Sequence, residues 1–227
     1  MLVLAFDTAT DVATAALVRD GEVLGERVTA AARLLADIEE LLDKAGAGRE
    51  EVGGLAVGVG PGRYTSLRMG LVTARALSFA LGAPVAGVST LAALAAGAAG
   101  ALPIIDARRR EVFTLDGGPR CLRPDELRLE PGRLCVGDGA VRYRDVLEAA
   151  GASVPPDDDP RHVPWARHHA HLASEYGPGE LAEPIYLRAP DAELSRLHRE
   201  SSNRGKSSSS AGPESFGRAL PRRGKGR

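Results

Sequence analysis

The chain of 227 residues contains two cysteines, Cys121 and Cys135, and only 4% of it is aromatic. Two thiols cannot form a disulfide framework, so reduced thiols and a cytoplasmic setting are expected. So few aromatic rings argue against a stacking-rich binding surface. They fit tight helix–sheet packing built from alanine, leucine, valine and 27 glycines. No basic stretch followed by an apolar secretory segment precedes the first apolar run. That run, Leu2 to Phe6, is too short for a signal segment or a membrane span, and no membrane association is expected. A formal net charge of −1 hides an asymmetry. From Arg196 onward nine Lys/Arg face two Glu, while the 195 residues before it carry twenty basic and twenty-eight acidic groups. The body is therefore about −8 and the tail about +7. A body that acidic is a poor stand-alone nucleic-acid binder, because phosphate contacts dominate that affinity.

At 44% hydrophobic residues, the chain can bury a substantial core. The chain is organised around Gly58-Val-Gly-Pro-Gly-Arg-Tyr-Thr-Ser-Leu-Arg-Met-Gly70. An apolar strand, Leu55 to Val59, enters this stretch, and a run of helix formers, Thr65 to Leu81, leaves it. Glycines and a proline between them allow a sharp turn, and Thr65 or Ser66 is expected to cap the helix start. Such a strand–turn–helix either cradles a phosphate or lets two backbones approach closely. Before it come strands at Leu2–Phe6, Thr14–Val18 and Glu22–Thr29, the last two joined through Asp20-Gly21. An amphipathic helix follows, with Leu34, Leu35, Ile38, Leu41, Leu42 and Ala45 at helical spacing and Gly46 as its stop. Val85–Val88 reads as a strand, and Ser89 caps a helix to about Ala99. This order predicts a mixed sheet with helices on its faces.

A second, shorter unit follows: strands at Pro103–Ala107, Glu111–Leu115 and Arg133–Val136, then a helix over Val141–Ala150. A loop at Pro155–Pro160, a helix over Pro164–Tyr176 and an extended segment Glu183–Arg188 complete it. From about Ala189 the composition turns to serine, glycine and arginine, which cannot bury enough to order itself. Residues 190–227 read as a disordered basic tail.

Asp7-Thr8-Ala9-Thr10, the Gly60-Pro61-Gly62 turn running to Leu67-Arg68, and Pro184-Ile-Tyr-Leu-Arg188 occur in an order and spacing that resemble the TsaB (YeaZ) family. That family supplies the non-catalytic partner in bacterial tRNA threonylcarbamoyladenosine synthesis. Ile105 to Val112 and Gly137-Asp138-Gly139 also fit it. The family's usual Gly-Pro-Gly-Ser-Phe-Thr-Gly-Leu-Arg carries Arg63, Tyr64 and Ser66 here, and Ala31-Ala32-Arg33 stands where a histidine is common. The resemblance implies an α/β, actin/Hsp70/sugar-kinase-like fold. Its two α/β lobes would be an N-terminal lobe over 1–100 and a reduced second lobe over 101–189.

Several sites follow. Asp7, Thr8 and Thr10 stand where catalysts of that fold place a phosphate-facing turn, which makes them a weak ATP or ADP site. Read as residues, they equally form a strand end closed by Asx and Thr turns. The glycine turn is neither a Walker loop nor a Rossmann fingerprint. The helix after it is apolar nearly all round and calls for a second layer or a partner chain. Arg68 and Arg75 share a face from which they can meet a partner's acids. The resemblance places the family's homodimer, and its docking of the catalytic paralogue TsaD, on this helix pair. The interface expected here comprises Leu34, Ile38, Leu41, Gly60, Pro61, Gly62, Tyr64, Thr65, Leu67, Arg68, Leu71, Ala74 and Arg75. TsaD carries a metal-holding His-x-x-x-His pair. The matching positions here are Thr90 and Leu94, neither an imidazole, so no catalytic residue and no metal are expected. His162, His168, His169 and His171 read as a solvated helix face rather than a metal set. Asp106 and Asp138 read as turn formers. No His-Glu-x-x-His and no Ser/His/Asp arrangement supports a protease.

Two functions result. The first is a non-catalytic subunit that activates a TsaD-like partner, alongside a TsaE-like ATPase, with tRNA bound only in the complex and a homodimer when alone. The second is a stand-alone kinase or nucleotide hydrolase that uses Asp7. A further role, an RNA tether, falls to the basic tail.

Overall fold

A computed structural model describes residues 1–188. The basic tail and its expected disorder lie outside the described residues. The first sheet has five strands: β1 (Leu2–Asp7), β2 (Ala13–Arg19), β3 (Glu22–Thr29), β4 (Val52–Gly58) and β5 (Val85–Val88), in the order β3-β2-β1-β4-β5. β1 runs antiparallel to β2 and parallel to β4, which runs parallel to β5. Both faces of β1 are buried, which explains why it is apolar from Leu2 to Phe6. Leu2, Leu4 and Phe6 face the core under helices α1 (Leu34–Ala45) and α2 (Tyr64–Leu81). The smaller Val3 and Ala5 face Ala166 of a helix from the second half of the chain.

The second sheet is smaller. Its strands β6 (Leu102–Arg108), β7 (Glu111–Thr114), β8 (Arg120–Leu122) and β9 (Cys135–Val136) lie in the order β8-β7-β6-β9. β6 alternates in the same way. Ile105 and Ala107 pack with Leu91 and Leu94 of α3 (Thr90–Ala96), while Leu102 and Ile104 pack with Leu127, Ala140 and Leu147. Two short helices, α4 (Asp138–Arg142) and α5 (Arg144–Ala149), supply Ala140 and Leu147. The last helix, α6 (Ala166–Leu172), comes back to cover β1 and β2 of the first sheet. Residues 1–188 thus form one compact unit, with the actin/Hsp70/sugar-kinase-like α/β architecture that the resemblance implies.

Several elements fall where the spacing places them: β3, α1 with its left-handed stop at Gly46 (φ 61°), and β5 with the Ser89 cap, whose side chain accepts from the Ala92 N–H at 3.4 Å. Others differ. Arg63, not Thr65 or Ser66, is the N-cap of α2, and no side chain caps that helix. The Arg63 N–H instead donates to the Ala9 carbonyl at 2.7 Å, which starts the helix earlier. The single helix expected over 141–150 breaks at Tyr143, whose hydroxyl reaches Asp106 at 3.3 Å. The final helix is shorter than Pro164–Tyr176, and β8 has no counterpart in the sequence reading.

Candidate functional site

The turn after β1 and the glycine turn after β4 lock into each other. A Cβ on Gly62 would overlap the Ala9 carbonyl, and one on Gly58 would overlap the Asp7 carboxylate. Both glycines are positions where two backbones approach closely. The carbonyl of Gly60 is also taken, by the Thr90 N–H at 2.8 Å, and the Val59 carbonyl accepts from Ile185 N at 2.8 Å. Pro61 is buried. Of the N–H groups that could form a phosphate nest, those of Val59 and Arg63 already donate to the Val88 and Ala9 carbonyls.

Asp7 is almost wholly buried and fully engaged. Its carboxylate accepts from the Ala9 N–H at 2.5 Å and the Thr90 hydroxyl at 2.6 Å, and it meets His169 Nε2 at 2.7 Å. Burial alone would push its pKa up. The charge and hydrogen bond of His169, with those of Thr90 and Ala9, outweigh burial and hold it below the ordinary carboxylate value. Thr8 donates to the Ser66 carbonyl at 2.7 Å and fills the space left by Gly70 of α2; Thr10 donates to Val12 at 3.0 Å. Of the three side chains expected at a nucleotide, Asp7 and Thr8 thus tie strands and helices together, and Thr10 closes its own loop.

The histidines depart from the solvated helix face expected of them. His169 is fully buried beneath Asp7, because α6 covers β1 and β2. His162 is buried as well: its Nδ1 accepts from Gly137 N at 3.0 Å, and its Nε2 lies 3.2 Å from the Pro155 carbonyl. His168 lies against Gly97, where burial lowers its pKa to about 4, and His171 reaches the Gly21 carbonyl. The place of His169 leaves no trace in the sequence, because a histidine at helical spacing carries no sign of what lies opposite it. Asp106 acts as a turn former, whereas Asp138 joins the start of α4 to β6. Asp106 accepts from Arg108 N at 2.9 Å, and Asp138 accepts from Asp106 N at 3.0 Å. Burial, aided by the charges of Asp106 and Asp11, pushes Asp138 up to about 6.

The helix pair presents two different faces. Leu34, Ile38 and Leu41 of α1, and Leu67, Leu71 and Ala74 of α2, point into the protein's own core. All six are buried in this chain's own core, the phase of α2 turning Leu67, Leu71 and Ala74 to the sheet, with Gly70 against Thr8. Gly60 and Pro61 are buried by the turn lock, Gly62 is half-buried within it, and Arg75 is tied to the Ala182 carbonyl at 3.4 Å. Tyr64, Thr65 and Arg68, and Arg75 as well, remain exposed. Tyr64 stacks on Tyr186 at 5.5 Å between ring centroids, and Arg68 sits over the Tyr64 ring. The apolar surface left open runs instead through Met69, Val72, Ala76 and Phe79, with Phe79 92% exposed. Leu35 of α1 is exposed beside it, and a groove of about 320 Å³ between the helices is lined by Leu35, Ile38, Leu42, Leu77, Ala80 and Leu81. The helical phase was the signal for these residues. Once Leu67, Leu71 and Ala74 are inside, positions 69, 72, 76 and 79 must be outside.

Comparison with known proteins bears on this arrangement. An uncharacterized protein of Mycobacterium tuberculosis is 37% identical over 209 residues, which is 84% of this chain and 93% of that one. The Escherichia coli tRNA threonylcarbamoyladenosine biosynthesis protein TsaB is 35% identical over 123 residues, 50% of this chain and 53% of that protein. The solved structure of YeaZ from Pseudomonas aeruginosa matches with a TM-score of 0.68 at 29% identity, over 82% of this chain and 99% of that one. The chain belongs to the TsaB (YeaZ) family. Against the TsaB proteins named for that biosynthesis, the match spans about half of their length. The family model for TsaD, described as tRNA N6-adenosine threonylcarbamoyltransferase, matches residues 29–126. That range holds α1, the glycine turn, α2 and α3. At the start of α3, Thr90 is committed to Asp7 and Leu94 is fully buried in the second core. No helix of the described residues is long and apolar enough to cross a membrane.

Proposed function

We propose that this chain is a non-catalytic, cytoplasmic subunit in tRNA threonylcarbamoyladenosine synthesis. In this reading it docks through the outer face of α2 onto a TsaD-like catalytic paralogue and activates it. A TsaE-like ATPase completes the assembly, tRNA is bound only by the complex, and the chain pairs with itself when alone. The observation that carries this reading is the Met69–Val72–Ala76–Phe79 stripe with Leu35 beside it, apolar and exposed on a chain whose own core is already filled. Apolar patches of this kind mark contacts with another chain. Membership of the family and the TsaD family-model match supply the pathway. The chemistry of Asp7 supports the absence of catalysis. A carboxylate that is enclosed and bonded on every side has no free oxygen to offer a nucleotide, so ATP or ADP is bound weakly at most.

The test is Phe79→Asp, checked by size-exclusion chromatography with light scattering against the catalytic paralogue of the same organism. The variant should keep the wild-type melting temperature and lose the complex. A variant that still pairs as tightly as the wild type would show that α2 is not the contact.

A further inference from the structure

The hairpin between β6 and β7 reverses through Arg108, Arg109 and Arg110, with φ of 63°, 54° and 63°. Three successive residues with side chains in the left-handed region are unusual, because each places its Cβ against the following carbonyl. A tight hairpin of this kind favours Asn-Gly at its centre. This one holds three arginines, the residues least helpful to the turn itself. Strain that stability does not explain points to a role for the side chains.

The base of the hairpin is anchored. Arg108 bonds Asp11, in the loop after β1, at 3.0 Å and Asp106 at 3.0 Å. Arg63 pairs with the same Asp11, and Arg142 lies 3.4 Å from Asp106. Beyond this anchor Arg109 and Arg110 are exposed, and Arg110 forms no ion pair among the described residues. Among the described residues the neighbourhood thus sets six guanidiniums (Arg63, Arg108, Arg109, Arg110, Arg142, Arg188) against four carboxylates (Asp11, Asp106, Asp138, Glu111) on a body that is otherwise acidic.

We infer that the Arg108–Arg110 hairpin tip is a phosphate-contacting element through which this chain touches RNA. The inference rests on the reading that the chain works in tRNA modification and adds to it where RNA lies. Guanidinium forks match phosphate oxygens bidentately. On an acidic body, contact with a polyanion has to be concentrated where arginines outnumber carboxylates. A hairpin fixed at its base holds those arginines in place at little further entropic cost.

The test replaces the two tip arginines by the pair the turn prefers, Arg109→Asn with Arg110→Gly, in the full chain. Fold and turn should be retained and the melting temperature raised. Binding of a fluorescein-labelled tRNA anticodon stem–loop by the complex of this chain with its organism's catalytic paralogue is then followed by anisotropy across a salt series. The variant should bind about tenfold more weakly, with the slope of log K against log salt shallower by roughly 1 to 2. A lysine pair, Arg109→Lys with Arg110→Lys, should retain most of the slope. Unchanged affinity and slope in the complex, or no RNA binding by the wild-type complex, would overturn the inference. So would loss of the complex with the catalytic paralogue while RNA binding is kept, since the tip would then be a protein contact. Pairing of the wild-type chain with the paralogue, scored separately, shows whether the reading beneath the inference has failed as well.

Discussion

Asp7→Ala separates the two functions most sharply, because they assign its carboxylate opposite jobs. In the structure the substitution leaves His169 buried without its partner, the Thr90 hydroxyl without its acceptor and the Ala9 N–H unpaired. Removing one member of a buried, hydrogen-bonded charged pair costs about 3–5 kcal/mol. For a chain of this size each kcal/mol lowers the melting temperature by roughly 2–4 °C, so a fall of about 6–20 °C is expected. The effect depends on pH with a definite sign. The folded-state pKa of Asp7 is depressed below its ordinary 3.8, so its stabilisation is present above that value and is lost as pH falls through the folded one. The gap between wild type and Asp7→Asn should therefore be open at neutral pH and narrow in acid below about pH 4. Calorimetric scans of both proteins at several pH values, with an ATP titration of each, form the assay. Unchanged melting with loss of a specific ATP site would refute the structural role and favour a kinase-like enzyme.

Other consequences are simpler to read. Leu71→Asp and Ala74→Arg place charge in the core beneath α2, so they should lower stability by more than about 3 kcal/mol and abolish soluble expression rather than only pairing; a folded, non-pairing Leu71→Asp would contradict the burial. Gly62→Ala drives a methyl into the Ala9 carbonyl and should destabilise the chain by several kcal/mol in urea melts, about as much as overpacking costs elsewhere; a neutral effect would show that the turns do not lock. Burial pushes the Cys121 and Cys135 thiols up to about 11. In native protein at pH 8 both should react with iodoacetamide about a hundredfold more slowly than in urea, and equal rates would show that these thiols are open.

Much of the fold was legible because its local signals agree. The Asp20-Gly21 turn, the amphipathic spacing of α1 with its Gly46 stop, and the apolar run of β4 each point to one structure. The site was less legible, for two reasons. Helical spacing shows that α2 is apolar on nearly every side but not which side meets the sheet, so Leu67, Leu71 and Ala74 read as surface and Phe79 was passed over. Contacts between residues far apart in sequence leave no local trace. Nothing near Asp7 shows that His169 will lie on it, and nothing near Gly62 shows that Ala9 will.

The measurement closest to the central claim is a reconstituted tRNA modification assay. It would use the purified chain, its organism's catalytic paralogue and the ATPase partner, with each component omitted in turn, and with Phe79→Asp in place of the wild-type chain. The account predicts modification only when the chain and its paralogue are both present, no turnover by the chain alone, and a large loss with Phe79→Asp. Full modification without the chain, or with Phe79→Asp in its place, would contradict it.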